Sequence, residues 1–308
     1  MAVRLSATAS RSAAARSLLP RRPSARRRAT ALAGFTLLAL LALLTAATVA
    51  RAETPLERGT YLMRSVAACG NCHTPKGPTG DIAGMELAGW APMEDNPAFT
   101  ANAPNITPDR ETGIGAWTDD QIVKAIREGV RPDGTIIGPP MPIELYRGLS
   151  DTDVRAIVAY LRAVPPVGNA IPPSVYRIPL PPAYDPPVGR VADVSPQDKL
   201  AYGAYLAGPV AHCVECHTPM GERGRDFAHQ LGGGGFEFHG PWGVSVAANI
   251  TPGALRDVSD ADLKQMITTG KQPDGTPMMP PMPYGYYAGM HEGDLDAIVA
   301  YLRTLPAL

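Results

Sequence analysis

From residue 53 onward, apolar positions recur at the spacing of half-buried helices, and the pattern is written twice. In "LERGTYLMRSVAACG" (56–70), "TDDQIVKAIREGV" (118–130) and "SDTDVRAIVAYLRAV" (150–164) the apolar residues fall three and four apart, which puts them on one helical face. Thr118 and Ser150 stand where N-caps stand, and Asp153 follows Ser150 by three. The second half opens with Ser195, Pro196 and Asp198, read as N-cap, first-turn proline and capping-box acid. Between the helices the chain is rich in Gly and Pro, and alternating strand patterns are scarce, so an all-α fold is expected. The run "ALAGFTLLALLALLTAATVA" (31–50) differs, being apolar on every face and preceded by arginines. A basic segment before an apolar run, then "ARA" at 50–52, has the form of a cleavable export signal. About 20 apolar residues also suffice to span a bilayer. Residues 1–52 are therefore expected to be a signal peptide or an N-terminal membrane anchor. The mature chain is expected in the periplasm, soluble or held at the inner membrane.

Gly59, Tyr61 and Leu62 return as Gly203, Tyr205 and Leu206, 144 positions later, and "PNITPD" (104–109) returns as "ANITPG" (248–253) at the same offset. Beyond this the offset becomes 141: "RPDGTIIGPPMP" (131–142) matches "QPDGTPMMPPMP" (272–283), and "DVRAIVAYLRAVP" (153–165) matches "DLDAIVAYLRTLP" (294–306). Self-similarity at a nearly fixed period marks a duplicated unit. The expected division is a first domain at 53–164, a linker at 165–195 and a second domain at 196–308. Prolines crowd the linker, which predicts an extended polyproline-like strap rather than a helix or strand. Its Val175, Tyr176, Ile178 and Leu180 predict that it lies along the domains.

Five Phe and three Trp are few for two cores of this size, which leaves room for a non-protein centre. The net charge of -1 hides an asymmetry: nine of the 28 Lys and Arg precede residue 53, and none of the 29 Asp and Glu does. The remainder is strongly acidic. Such a surface excludes nucleic acid as a partner and favours proteins with basic patches. In an exported chain, four cysteines would by default form two disulfides.

The cysteines, however, stand as Cys69-Gly-Asn-Cys72-His73 and Cys213-Val-Glu-Cys216-His217. C-x-x-C-H is the attachment pattern of c-type haem: two thiols form thioethers with the porphyrin, and the adjacent histidine binds iron. A thioredoxin-like centre would need a βαβ setting, a zinc site would need the two pairs brought together, and a disulfide across three residues is strained. Two covalently attached haem c groups are predicted, held by Cys69, Cys72, Cys213 and Cys216, with His73 and His217 as axial ligands. Met141 and Met282 occupy the same place in the two "PPMP" segments and are the candidates for the opposite axial positions. Against them stand the reading of both as core fillers, the neighbours Met278 and Met279, and the more distant Met85 and Met93. His239, in a glycine-rich stretch, is the candidate replacement ligand.

The stretches "GTYLMRSVAACGNCHTPKG", "NITPDRETGIGAWTDDQIVKAIREGVRPDG", "PPMP" and "AIVAYLR", with their second-copy partners, resemble the dihaem c-type cytochromes built from class I-type cytochrome c domains. They are similar to the cytochrome subunits of bacterial alcohol, aldehyde and gluconate dehydrogenases. The resemblance implies two tandem all-α domains whose first and last helices cross at an aromatic contact, with Tyr160 and Tyr301 against the helices bearing Gly59 and Gly203. It implies axial pairs of His73 with Met141 and His217 with Met282. It also implies electron transfer without catalytic residues, between a dehydrogenase catalytic subunit or quinol-oxidising partner and an acceptor such as an oxidase or small cytochrome. Val258 stands where the first copy has Trp117, so unequal haem environments are expected. The alternative function is a dihaem redox enzyme, a peroxidase or thiosulfate-oxidising cytochrome, which would want one iron open or weakly ligated.

Overall fold

Local capping sets where the first copy's helices begin. The Thr54 hydroxyl accepts from the Glu57 amide (3.2 Å) while the Glu57 carboxylate accepts from the Thr54 amide (2.8 Å), and Pro55 follows in the first turn of α1 (Pro55–Tyr61). This chain is described from a computed structural model over residues 52–308, apart from 79, 223 and 241. The expected signal or anchor lies, but for Ala52, outside the described residues. Helix α1 widens into a π-helical segment, π1 (Leu62–Val66), and after Ala67 and Ala68 the turn α2 (Gly70–His73) carries the first cysteine motif. Strands β1 (Lys76–Gly77), β2 (Gly80–Asp81), β3 (Trp90–Asp95) and β4 (Phe99–Ala103) follow as two hairpins. Helix α3 (Asp119–Glu128) begins at a Thr118–Gln121 capping box and stops at Gly129, whose φ of 63° is left-handed. After the short α4 (Ile143–Tyr146), α5 (Asp151–Ala163) starts where the Ser150 hydroxyl accepts from the Asp153 amide.

The linker contributes β5 (Val175–Tyr176), antiparallel to β4, so part of the expected strap is a strand. The second copy repeats the order with one added short helix, α8: α6 (Lys199–Tyr205), π2 (Leu206–Val210), α7 (Cys213–Cys216), β6 (Met220–Gly221), β7 (Gly224–Arg225), β8 (Glu237–Gly240), β9 (Gly243–Val246), α8 (Pro252–Leu255), α9 (Asp260–Thr269), α10 (Tyr284–Tyr287) and α11 (Glu292–Leu302). Asp198, not Ser195, caps α6, accepting from the Ala201 amide at 3.2 Å, while Ser195 closes a local turn with Gln197.

The all-α expectation is overturned. The described residues hold eleven α-helices but also four antiparallel sheets, and only 35% of those residues are helical, so the fold is mixed α/β. The physical reason is that the Gly- and Pro-rich stretches between helices zip into hairpins. Their backbone groups need partners as much as those of any helix.

Within each copy the first and last helices cross at a glycine. A Cβ built on Gly59 would lie 1.9 Å from the Ala156 carbonyl oxygen and 3.1 Å from Tyr160 Cβ. One on Gly203 would lie 2.0 Å from the Ala297 oxygen and 2.9 Å from Tyr301 Cβ. The helices touch backbone to backbone, which only glycine permits. Leu62, Val66, Val154, Ile157 and Leu161 are buried around the first crossing, and Leu206, Val210, Leu295, Ile298 and Leu302 around the second.

Glu53–Leu308 form one compact unit, and the contacts joining its halves are reciprocal. Tyr61 donates its hydroxyl to Asp294 (2.6 Å) and accepts from the His291 amide (3.0 Å) at the start of α11. Tyr205 donates to Asp153 (2.7 Å) and accepts from the Ser150 amide (3.2 Å) at the start of α5. Each first helix thus caps the other copy's last helix, the self-complementary arrangement of a two-fold dimer. The α4 turn of one copy packs on π2 of the other, and α10 on π1, with Pro209 against Gly148 and Ser65 against Gly289.

Candidate functional site

Both cysteine motifs fold as one helical turn following a residue in the left-handed region, Ala68 (φ 50°) in one copy and His212 (φ 43°) in the other. The His73 amide donates to the Cys69 carbonyl (3.0 Å) and the His217 amide to the Cys213 carbonyl (3.1 Å), which brings both thiols and the imidazole of each copy onto one turn. The next threonine is buried and pins the following loop: Thr74 Oγ1 accepts from the Leu87 amide and Thr218 Oγ1 from the Gly232 amide. The loop's glycine then donates back to the histidine carbonyl at 2.8 Å, Gly89 to His73 and Gly234 to His217.

The imidazoles are oriented in the same way. His73 Nδ1 lies 2.8 Å from the Pro104 carbonyl oxygen and His217 Nδ1 lies 2.7 Å from that of Ala248. A carbonyl can only accept, so Nδ1 carries the proton and Nε2 keeps its lone pair. Burial pushes both imidazoles below their ordinary pKa, against the opposing pull of these carbonyl contacts, and so favours the neutral, ligating form. This second-sphere carbonyl is what a metal-binding histidine uses to fix its tautomer. The motif alone does not reveal it, although the repeat "PNITP"/"ANITP" marks its position.

All four cysteines are free, which removes the disulfide reading. Burial pushes Cys69 and Cys213 up to about 12 and Cys72 up to about 11, and raises Cys216 well above its ordinary value, so the thiols stay protonated and are poor thiolate ligands. Among the described residues no cluster of three or more His, Cys, Asp or Glu side chains is placed to hold a metal ion, which removes the zinc reading. Two half-buried, unpaired thiols on one turn with a neutral imidazole whose Nε2 is free fit a covalently held haem.

Met141 and Met282 sit in loops of the same form. Pro139–Pro140 and Pro280–Pro281 are both cis, and the methionine carbonyl accepts from the residue two further on, Ile143 (2.8 Å) or Tyr284 (3.0 Å). Cys69 and Met141, and Cys213 and Met282, are all half-buried against the same apolar cluster. Met279 is exposed, and His239 points to solvent beside Glu237 at 3.5 Å. Trp117 is half-buried against the core.

The sequence does not show that each attachment turn is also touched by the other copy. A Cβ on Gly70 would lie 2.3 Å from Tyr286 Oη, and Asn71 reaches the Pro281 carbonyl at 3.5 Å. His212 stacks edge-on against Tyr146 at 5.8 Å. The turn of one copy therefore meets the α10 or α4 segment of the other, directly after its PPMP loop.

Family models match both halves: one described as cytochrome c over residues 201–306, and one described as cytochrome c oxidase, cbb3-type, subunit III over 54–161. The chain is 30% identical to a protein named diheme cytochrome c-type from Cereibacter sphaeroides, across 78% of this chain and 82% of that one. It is 34% identical to the gluconate 2-dehydrogenase cytochrome c subunit of Pantoea cypripedii, across 82% of this chain and 60% of that one. Against the fructose dehydrogenase cytochrome subunit of Gluconobacter japonicus it is 33% identical, across 84% and 54%. The chain thus spans little more than half the length of these dehydrogenase subunits.

Proposed function

This chain belongs to the dihaem c-type cytochromes, and from that membership we propose that it holds two haem c groups and passes electrons, in the periplasm, from a dehydrogenase catalytic subunit toward a terminal acceptor. Haem c, when bound, supplies an iron that cycles between ferric and ferrous states. Cys69 and Cys72 hold one group by thioether bonds, and Cys213 and Cys216 hold the other. His73 and His217 present Nε2 to the iron while Pro104 and Ala248 keep Nδ1 engaged. Met141 and Met282, on proline-stiffened loops, would supply thioether ligands to the iron, and such ligands would favour its reduced state. The observation that carries the reading is the identical histidine-to-carbonyl contact in both copies. The relatives that are dehydrogenase subunits support the donor, and the export-like segment at 1–52 supports the compartment. An acidic mature surface favours a partner docking through Lys and Arg.

Intact mass and visible spectra test this. The mature protein is expected to exceed its polypeptide mass by two haems, with low-spin spectra and a methionine-to-iron charge-transfer band. Met141→Ala and Met282→Ala should each remove about half of that band. Thiols open to alkylation in the native protein would overturn the attachment. Electron uptake from the donor should slow as ionic strength rises.

A further inference from the structure

The linker shows what a hairpin of this fold does with its outer edge. In the first copy β5 pairs with β4, Val175 opposite Thr100 and Tyr176 opposite Phe99, and the Arg177 amide donates to the Ala98 carbonyl. Side chains reinforce the pairing: Asn102 Nδ2 donates to the Pro173 carbonyl (3.0 Å), and Arg177 donates to Thr100 (3.1 Å) and Asp95 (3.2 Å). Further along, Tyr176 and Leu180 lie so close over Gly138 that a Cβ there would meet them at 2.8 and 2.6 Å.

The second copy has the same hairpin, β8–β9, and among the described residues no third strand pairs with it. The offset of 144 puts Val244 where the first copy has Thr100 and Val246 where it has Asn102. The matching cross-strand pairs, Asp95 with Thr100 and His239 with Val244, put His239 where it has Asp95. The offset of 141 puts Met279 where it has Gly138, and both positions follow the same bond, Ile137 to Gly129 and Met278 to Gly270 at 2.7 Å. The side chains that anchor β5, Asp95, Thr100 and Asn102, are thus all replaced, and Thr100, Asn102 and Gly138 give way to exposed apolar side chains: Val244 is 49% exposed, Val246 57% and Met279 44%. An open edge strand carrying valines invites strand pairing, and soluble proteins ordinarily guard such edges with charge, proline or a bulge.

We propose that the outer edge of β9, with Val244, Val246 and Met279, is a docking strip on which an extended, proline-flanked segment of a protein partner adds a strand to β8–β9 as β5 does to β3–β4. Main-chain pairing supplies the affinity, and the lost anchors set the specificity. The segment carries apolar side chains where the linker carries Arg177, because His239 stands in place of Asp95. The proposal rests on the reading that the chain works with a protein partner, but binding is measured without electron transfer.

The test is a fluorescence-anisotropy titration of the haem-loaded protein with two labelled peptides, the linker's own IPPSVYRIPLPP and IPPSVYVIPLPP. In the untreated protein the linker already fills the first-copy edge. Saturable binding of the valine peptide is expected, about fivefold tighter than the arginine peptide and weakened at least about tenfold by Val244→Lys with Val246→Lys. Both side chains are exposed, so the double variant should keep its spectrum and melting temperature; Met279→Lys is the independent second variant. No saturation up to about 1 mM, or binding indifferent to these substitutions, overturns the proposal. So does a wild-type dimer in sedimentation that the double variant converts to monomer, which would assign the edge to a second copy. Any of these results leaves the haem spectra, and the proposed electron transfer, untouched.

Discussion

The two copies share helices, crossings and histidine contacts, yet they are finished differently. The first is bound by polar clamps: Arg58 grips Asp153 with two hydrogen bonds (2.7 and 3.0 Å), Arg64 bridges Tyr160 and Glu86, and the linker runs over the hairpin edge. In the second copy Tyr202 stands in place of Arg58 and Gly208 in place of Arg64, and among the described residues Tyr61 is the one side chain that donates to Asp294. What the pair teaches is that the duplicated frame needs its glycine crossings and reciprocal tyrosines in both halves, while the clamps are additions to one.

The crossing is the part both halves share, so it should break equally in both. Gly59→Val and Gly203→Val are each expected to cost about 4 kcal/mol or more, since the new side chain meets a backbone carbonyl and not a movable side chain. Thermal melts of the two variants should match, and a large difference would end the claim of equivalent crossings. Asp153→Ala comes next at about 3–5 kcal/mol, because it strands the largely buried Arg58 guanidinium and Tyr205 together. Asp294→Ala, which strands one tyrosine hydroxyl, should cost about 1–3 kcal/mol by denaturant unfolding. A reversed order would show that the clamp adds nothing.

The third contrast is His212 against Ala68. Burial pushes His212 down to about 4, against the pull of the Ala67 backbone. The unfolded imidazole takes up its proton near pH 6.5 and the folded one does not. This part of the stability is therefore complete above about 6.5 and is lost as pH falls toward 4, about 2 kcal/mol in total after solvent screening. His212→Ala gives the second copy the residue the first already tolerates at positive φ, and should flatten the stability profile across that window. The smallest effect belongs to the linker strand: Arg177→Ala removes exposed bonds to Asp95 and Thr100 and should cost under about 1 kcal/mol, with the haem spectra unchanged.

Caps and attachment turns are legible in the sequence because they are local. Thr118 and Ser150 act on amides three residues away, and Cys-x-x-Cys-His closes within one turn. The hairpins are not legible. Trp90–Asp95 does not alternate, it contains Pro92 and a register shift, and its sheet is completed by a strand about 80 residues further on, at Val175–Tyr176. Asp198 takes the cap from Ser195 through a turn that no propensity announces. The tyrosine–aspartate contacts between copies are invisible for another reason: their partners are separated by 233 positions in one case and 52 in the other, and neither residue type marks an interface by itself.

Those tyrosines also govern how the molecule comes apart. Neither α5 nor α11 has its full set of N-terminal acceptors until the opposite half is in place, so the two copies cannot melt in turn like independent beads. Severing the strap near residue 195, beyond the stretch fastened to the first copy, should leave the halves clasped. Heating should then reveal a single concerted transition, in which loss of either half releases the other.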